Sequence, residues 1–191
     1  MSSFNERQIF GPLAQWLEHP AHNRTVLGSS PRGPTIILQN FRRDMNTVKG
    51  DLIKLASSGK FDVIVHGCNC FNVMGAGIAR KIKMKFPEAY QADLETKKGD
   101  EKKLGTYTTA KIDDLTIVNA YTQYNYGSGQ RNVDYDAIRK IFRLIKHNFR
   151  DKRIAYPKIG AGLGGGDWKT IKNIIEEELE NTDHTLVVFE K

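Results

Sequence analysis

The chain has 191 residues, 39% of them hydrophobic, which is enough for one domain with a full core. Its net charge of +7 is spread among acids, as in "KTIKNIIEEELE", so it argues against a nucleic-acid stripe and for a solvated basic surface that attracts a polyanionic small ligand. No apolar stretch approaches a membrane span, and Cys68-x-Cys70 is too tight for an easy disulfide and lacks partners for zinc, so a cytoplasmic, metal-independent protein is expected.

Residues 1–44 lack helical or strand periodicity, and "GSSPRGP" is a cluster of breakers. Permitted codons for "GPLAQWLEHPAHNRTVLGSSPRGPT" spell stems of a transfer RNA gene with a CAT anticodon. The expectation is a disordered tail or a spurious extension over 1–44, with the natural start at Met45 and one domain over 45–191. From Met45 the pattern alternates. Short apolar, β-branched runs at "NTVKG", "FDVIVHG", "LGTYTTAKI", "LTIVNAYTQ", "RIAYPKIG" and "TLVVFEK" predict strands. Helical spacing predicts helices over 51–58, over 77–97 with Pro87 opening a second piece, over 133–149 with Ile138, Ile141, Phe142 and Ile145 inward, and over 167–181. About six strands with helices between them give an α/β class with a largely buried sheet.

The stretch "PKIGAGLGGGDW" matches a dinucleotide fingerprint at Gly160, Gly162 and Gly165, after a strand and before a helix. A Rossmann fold places that turn after its first strand, whereas here one helix and one strand remain. A P-loop is excluded because no Gly-Lys-Ser/Thr closes the run. What survives is the physics. Glycine-rich backbone exposes N–H groups, lets an anion approach closely, and leads into a helix N-terminus with a positive dipole end. A second strand-glycine-helix junction lies upstream at "NVMGAGIARKIK", with Gly75 and Gly77, so two such loops could hold two adjoining phosphates. Each loop alone could equally be a tight turn that only closes the chain.

Residues 46–191 resemble a macro domain, in the branch of the yeast-type ADP-ribose 1″-phosphate phosphatase, the terminal ADP-ribose glycohydrolase and the antitoxin that reverses ADP-ribosylation of DNA. The resemblance rests on "KGDLI", on "HGCNCFNVMGAGIA" followed by "FPEAY", and on "PKIGAGLGGGDW", in that order. It implies a three-layer α/β/α fold with a mixed sheet. It also implies that Asp51 accepts a hydrogen bond from the adenine amino group, with Leu52 beside it; a carboxylate suits an amine that can only donate. Asp51 could at the same time cap the helix over 52–58. Phe189 matches an aromatic placed against adenine and could instead be a buried core ring.

The resemblance further assigns Asn69 to the distal ribose, Met74, Gly75, Ala76, Gly77 and Ile78 to a first phosphate and ribose loop, and Gly160, Ala161, Gly162, Leu163 and Gly164 to a second. Asn69 could otherwise be a strand-end turn residue. Lys83 matches a lysine that attacks the anomeric carbon, a role that requires loss of its proton; the alternative is a solvated lysine on a basic helix. His66 matches a histidine able to act as general acid or base, and the alternative is a ring satisfied at the strand end. Gly164 stands where the glycohydrolase keeps an aspartate, which weakens that assignment alone. Asp167 reads as a helix N-cap and Trp168 as a core anchor.

The implied function is a monomeric hydrolase that acts at the 1″ position of ADP-ribose derivatives with Lys83, His66 and Asn69 as its catalytic set and no cofactor. The alternatives are a non-catalytic ADP-ribose reader and, behind both, a nucleic-acid-binding module.

Overall fold

The computed structural model describes residues 45–127 and 129–190. The expectation for 1–44 therefore lies outside the described residues.

Six strands form one mixed sheet: β1 (Asn46–Lys49), β2 (Val63–Asn69), β3 (Tyr107–Ile112), β4 (Leu115–Gln123), β5 (Ile154–Tyr156) and β6 (His184–Val188). Their spatial order is β1-β6-β5-β2-β4-β3, all neighbours being parallel except the β3–β4 hairpin pair. The parallel strands β2, β4, β5 and β6 are buried on both faces, which is why they read as apolar runs in the sequence rather than as alternation. Antiparallel β3 lies at the edge and mixes buried and exposed positions.

Helices cover both faces. On one side α1 (Leu52–Ser57), α2 (Gly77–Lys85) and α3 (Pro87–Leu94) bury Leu52, Ala56, Ile82 and Ala89 against Ile64, Ile117 and Ala155 of the sheet. On the other, α4 (Tyr135–Phe149) and α5 (Trp168–Glu178) pack on Val65, Val118, Ile154 and Tyr156. The expected stripe of Ile138, Ile141, Phe142 and Ile145 is fully buried there; each such side chain contributes about 1.5–3 kcal/mol relative to exposure. The result is the expected α/β/α sandwich, and Trp168 packs half-buried against its core.

Local chemistry sets the boundaries. Pro87 occupies the first turn of α3, where its missing N–H costs nothing, and so splits the long helical pattern at Phe86. Asp51, Asp134 and Asp167 each cap a helix, accepting from the first-turn amides of α1, α4 and α5. A 3-10 turn at Glu101–Lys103 was not predicted. The consequence for function is positional: the parallel strands end together at one rim of the sheet. Asp51 follows β1 and Phe189 follows β6, the 157–167 loop follows β5, and the 70–76 loop follows β2. That is where open α/β sheets bind ligands.

Candidate functional site

The two glycine loops meet. A Cβ built on Gly77, at the start of α2, would lie 3.7 Å from Leu163 Cδ1 on the tip of the loop after β5. Among the described residues, the N–H groups of Gly75, Ala76 and Gly77 on one side and Gly162, Leu163 and Gly164 on the other have no acceptor within the protein. The N-terminus of α2 also lacks a side-chain cap, because Ala76 occupies the capping position. Orphan amides, an uncapped helix dipole and open space at Gly162 together suit an anion. The α5 end is capped, as expected for Asp167. Asp167 accepts from Thr170 N at 2.8 Å and from Thr170 Oγ1 at 2.7 Å, so a carboxylate already occupies that dipole.

The loop after β5 is a closed ring. Gly166 N donates to Gly160 O at 2.9 Å and Gly165 N to Gly162 O at 3.0 Å. Inside it, a Cβ on Gly164 would lie 2.7 Å from Gly160 O, and one on Gly166 would lie 2.5 Å from Val133 Cγ1. The glycine at 164, where a relative keeps an acid, is therefore required by the ring in this chain. Ala161 packs half-buried on the core, and Leu163 is 57% exposed.

The loop after β2 is held by side chains. A register shift between Cys68 and Asn69 against β4 re-aims the end of the strand. Asn69 Oδ1 then accepts from Phe71 N at 2.9 Å and Val73 N at 3.3 Å, while its Nδ2 donates to Val73 O at 2.8 Å. The turn role is thus fully expressed, and one amide hydrogen remains for a ligand. Asn72, with φ of 60°, donates to Asp93 O and Thr96 Oγ1 and accepts from Lys103 Nζ at 3.1 Å. Lys103 Nζ also pairs with Asp93 Oδ1 at 3.4 Å, and Tyr121 OH donates to the same oxygen at 2.9 Å. Burial pushes the Asp93 carboxyl above the usual range, opposed by the Tyr121 hydrogen bond and the Lys103 charge. This buried network was not read from the sequence: its members are scattered over residues 72 to 121, and "DEKKLG" looks solvated.

Several expected ligand contacts sit elsewhere. Leu52 and Met74 are buried among core side chains, so only their backbone can face a ligand; their apolar character won them to the core. Ile78 packs half-buried against the same layer as Leu52. His66 has no exposed surface; its Nε2 lies 2.7 Å from Asn119 Oδ1, and Asn119 Nδ2 donates to Ala89 O and Thr108 Oγ1. Burial pushes the His66 ring down to about 4, against the Asn119 and Gly67 hydrogen bonds. A neutral, enclosed ring differs from the expected general acid or base in contact with a ligand. Lys83 Nζ rests 3.7 Å from the centroid of the Tyr90 ring.

At the β1–β6 edge, Asp51 and Phe189 are brought together because Lys49 pairs with Val188 and Gly50 N donates to Val188 O at 2.9 Å. Asp51 Oδ1 takes both capping bonds, from Ile53 N at 2.9 Å and Lys54 N at 3.2 Å, which leaves Oδ2 free of the helix. Phe189 is 58% exposed, so the core alternative for this ring is overturned. Among the described residues, no group of three acidic, histidine or cysteine side chains could hold a metal, and no helix is long and apolar enough to cross a membrane.

The macro domain family model matches residues 65–175, which spans β2 through α5 and both glycine loops. An uncharacterized 17.5 kDa protein of Enterobacteria phage T4 is 34% identical over 152 residues, covering 75% of this chain and 95% of its own length. A DNA ADP-ribosyl glycohydrolase of Mycobacterium bovis is 28% identical over 128 residues, 64% of this chain, which spans only 35% of that relative's length. The macrodomain of Thermus aquaticus DarG superposes with a TM-score of 0.59 at 23% identity, covering 77% of this chain and 98% of that one, a likeness of fold. Strand order, paired glycine loops and family match converge, and the chain belongs to the macro domain family.

Proposed function

We propose that the chain binds ADP-ribose derivatives in the rim cleft and hydrolyses them at the 1″ carbon, water supplying hydroxide to the sugar and a proton to the departing group. The carrying observation is the close approach of the two loops at Gly77 and Leu163, with acceptor-free amides on both sides. In this reading the diphosphate lies against these amides, the base toward Asp51 and Phe189 and the distal ribose toward Asn69.

In this reading His66 is a positioning residue, holding Asn119 and α3 in place from beneath the cleft. Lys83 is the nucleophile candidate: its amine would displace the departing group from C1″ and water would then displace the amine, for which Lys83 must leave the Tyr90 ring. That resting contact favours one second reading, a reader that binds without turnover, because the ammonium is already engaged on the face of the Tyr90 ring.

The test is to incubate the full chain with ADP-ribose 1″-phosphate, ADP-ribosyl-DNA and ADP-ribosyl-protein in parallel, and to follow free ADP-ribose. Release from at least one, slowed by Lys83→Ala with ADP-ribose still bound, supports the hydrolase. Binding without release from any of them leaves the reader, and no binding removes both.

A further inference from the structure

Lys81 is unexplained by the reading above. It lies on the exposed side of α2, yet its ammonium is drawn to the base end of the cleft, 4.3 Å from the Phe189 ring centroid and 3.9 Å from Asp51 Oδ2. The Asp51 carboxylate and the face of the Phe189 ring hold it there. Lys49 is paired with Glu190 at 3.1 Å, which pins the residue after Phe189, and the Lys54 backbone is committed to the Asp51 cap.

The ammonium therefore occupies one face of the Phe189 ring. A base entering there must displace it, and a four-carbon stem lets the charge swing from the ring face to the edge of the incoming base. Asp51 offers only acceptors, and one of its oxygens is consumed by the helix, so alone it can read a donor and nothing else. With Lys81 beside it the edge reader becomes an acceptor and a donor side by side.

A 6-aminopurine presents its amino group to the carboxylate and a ring nitrogen to the ammonium. A 6-oxopurine reverses that order, so with the carboxylate fixed by its cap the base shifts along its edge to present N1–H to Asp51, and the ammonium crosses on its stem to O6. Both edges are satisfied without an unpaired polar group, which is what strong rejection would require. We propose that Lys81 is a specificity-determining residue that opens the base site to 6-oxopurine nucleotides as well as to adenine nucleotides. This rests on the reading that the base of an ADP-ribose derivative lies at Asp51 and Phe189.

The test is calorimetric titration of the full chain with ADP and with IDP, repeated on Lys81→Met, which keeps the stem and removes the donor. Wild type is expected to bind the two within about tenfold, and the Lys81→Met variant to raise the IDP-to-ADP ratio of dissociation constants by about tenfold or more, as loss of a charged hydrogen bond would. Two results overturn the proposal: wild type rejecting IDP by over about a hundredfold, or Lys81→Met weakening both ligands equally, as a general diphosphate attractor would. Failure of both ADP and ADP-ribose to bind overturns the proposed function together with it. ADP bound with IDP rejected overturns this inference alone.

Discussion

The two glycine loops of the cleft look alike as sequence and are held by opposite means. The loop after β2 hangs on polar side chains: Asn69 bonds its own turn, and Asn72 reaches down to Asp93, Thr96 and Lys103. The loop after β5 is held by close apolar packing of bare backbone on Val133 and Ile171. In the first loop the glycines have room, the nearest neighbour of a Cβ on Gly75 being Val73 Cγ1 at 3.8 Å. In the second, Gly160, Gly164 and Gly166 have none. A glycine run can thus mark either a ligand approach or a tight core, and only the neighbours distinguish them.

The polar anchor gives the largest expected effect. Lys103→Met leaves the buried Asp93 carboxylate without its counter-charge, and a loss of about 3–5 kcal/mol in denaturant unfolding is expected. Loss of less than about 1 kcal/mol would mean that Tyr121 and the backbone suffice.

Next comes pH. His66 is pushed down to about 4 inside the same layer, so between its ordinary 6.5 and about 4 the unfolded chain binds a proton that the folded chain refuses. Its stabilising effect is full above 6.5 and is lost as pH falls to about 4, about 3 kcal/mol in all. Asp93, raised by burial, opposes this in part. Unfolding at pH 7 and at pH 5 should show a shallower dependence in His66→Gln than in wild type. An equal slope would assign the effect elsewhere.

The fold was largely legible, because its determinants are local or periodic. Pro87 split the long helix, the α4 stripe fell on the core, and Asp51 and Asp167 capped where expected. The two loops were legible for the same reason. The site was less so. Phe189 could be core or cleft from sequence, and its 58% exposure follows from β6 ending one residue earlier, at Val188. His66 carried the signature of a catalytic histidine, but its environment depends on Asn119, 53 positions away. Asp93, Lys103 and Lys81 gave no local signal, since each looks like a solvated charge until the tertiary fold brings its partner to it.

The packed loop supplies the third expectation. Gly166→Ala drives a methyl into Val133 and Ile171 and should cost about 1–3 kcal/mol by thermal unfolding. Val133→Ala should cost less in that background than in wild type, and simple additivity would show that the two do not share the space. The open loop supplies the smallest. Gly75→Ala should change stability by no more than about 0.5 kcal/mol, yet weaken ADP-ribose by about tenfold, or 1.4 kcal/mol, by calorimetry. A stable variant with unchanged affinity would break the contrast between the loops.

The central claim is that the acceptor-free amides on both sides of the Gly77–Leu163 approach meet the diphosphate. Amide chemical shifts of the labelled protein, recorded with and without ADP-ribose, address it directly. The account predicts large shifts at Gly75, Gly77, Gly162, Leu163 and Gly164, with Gly166, already bonded to Gly160 O, moving little. Shifts confined to one loop, or clustered away from both, would contradict it.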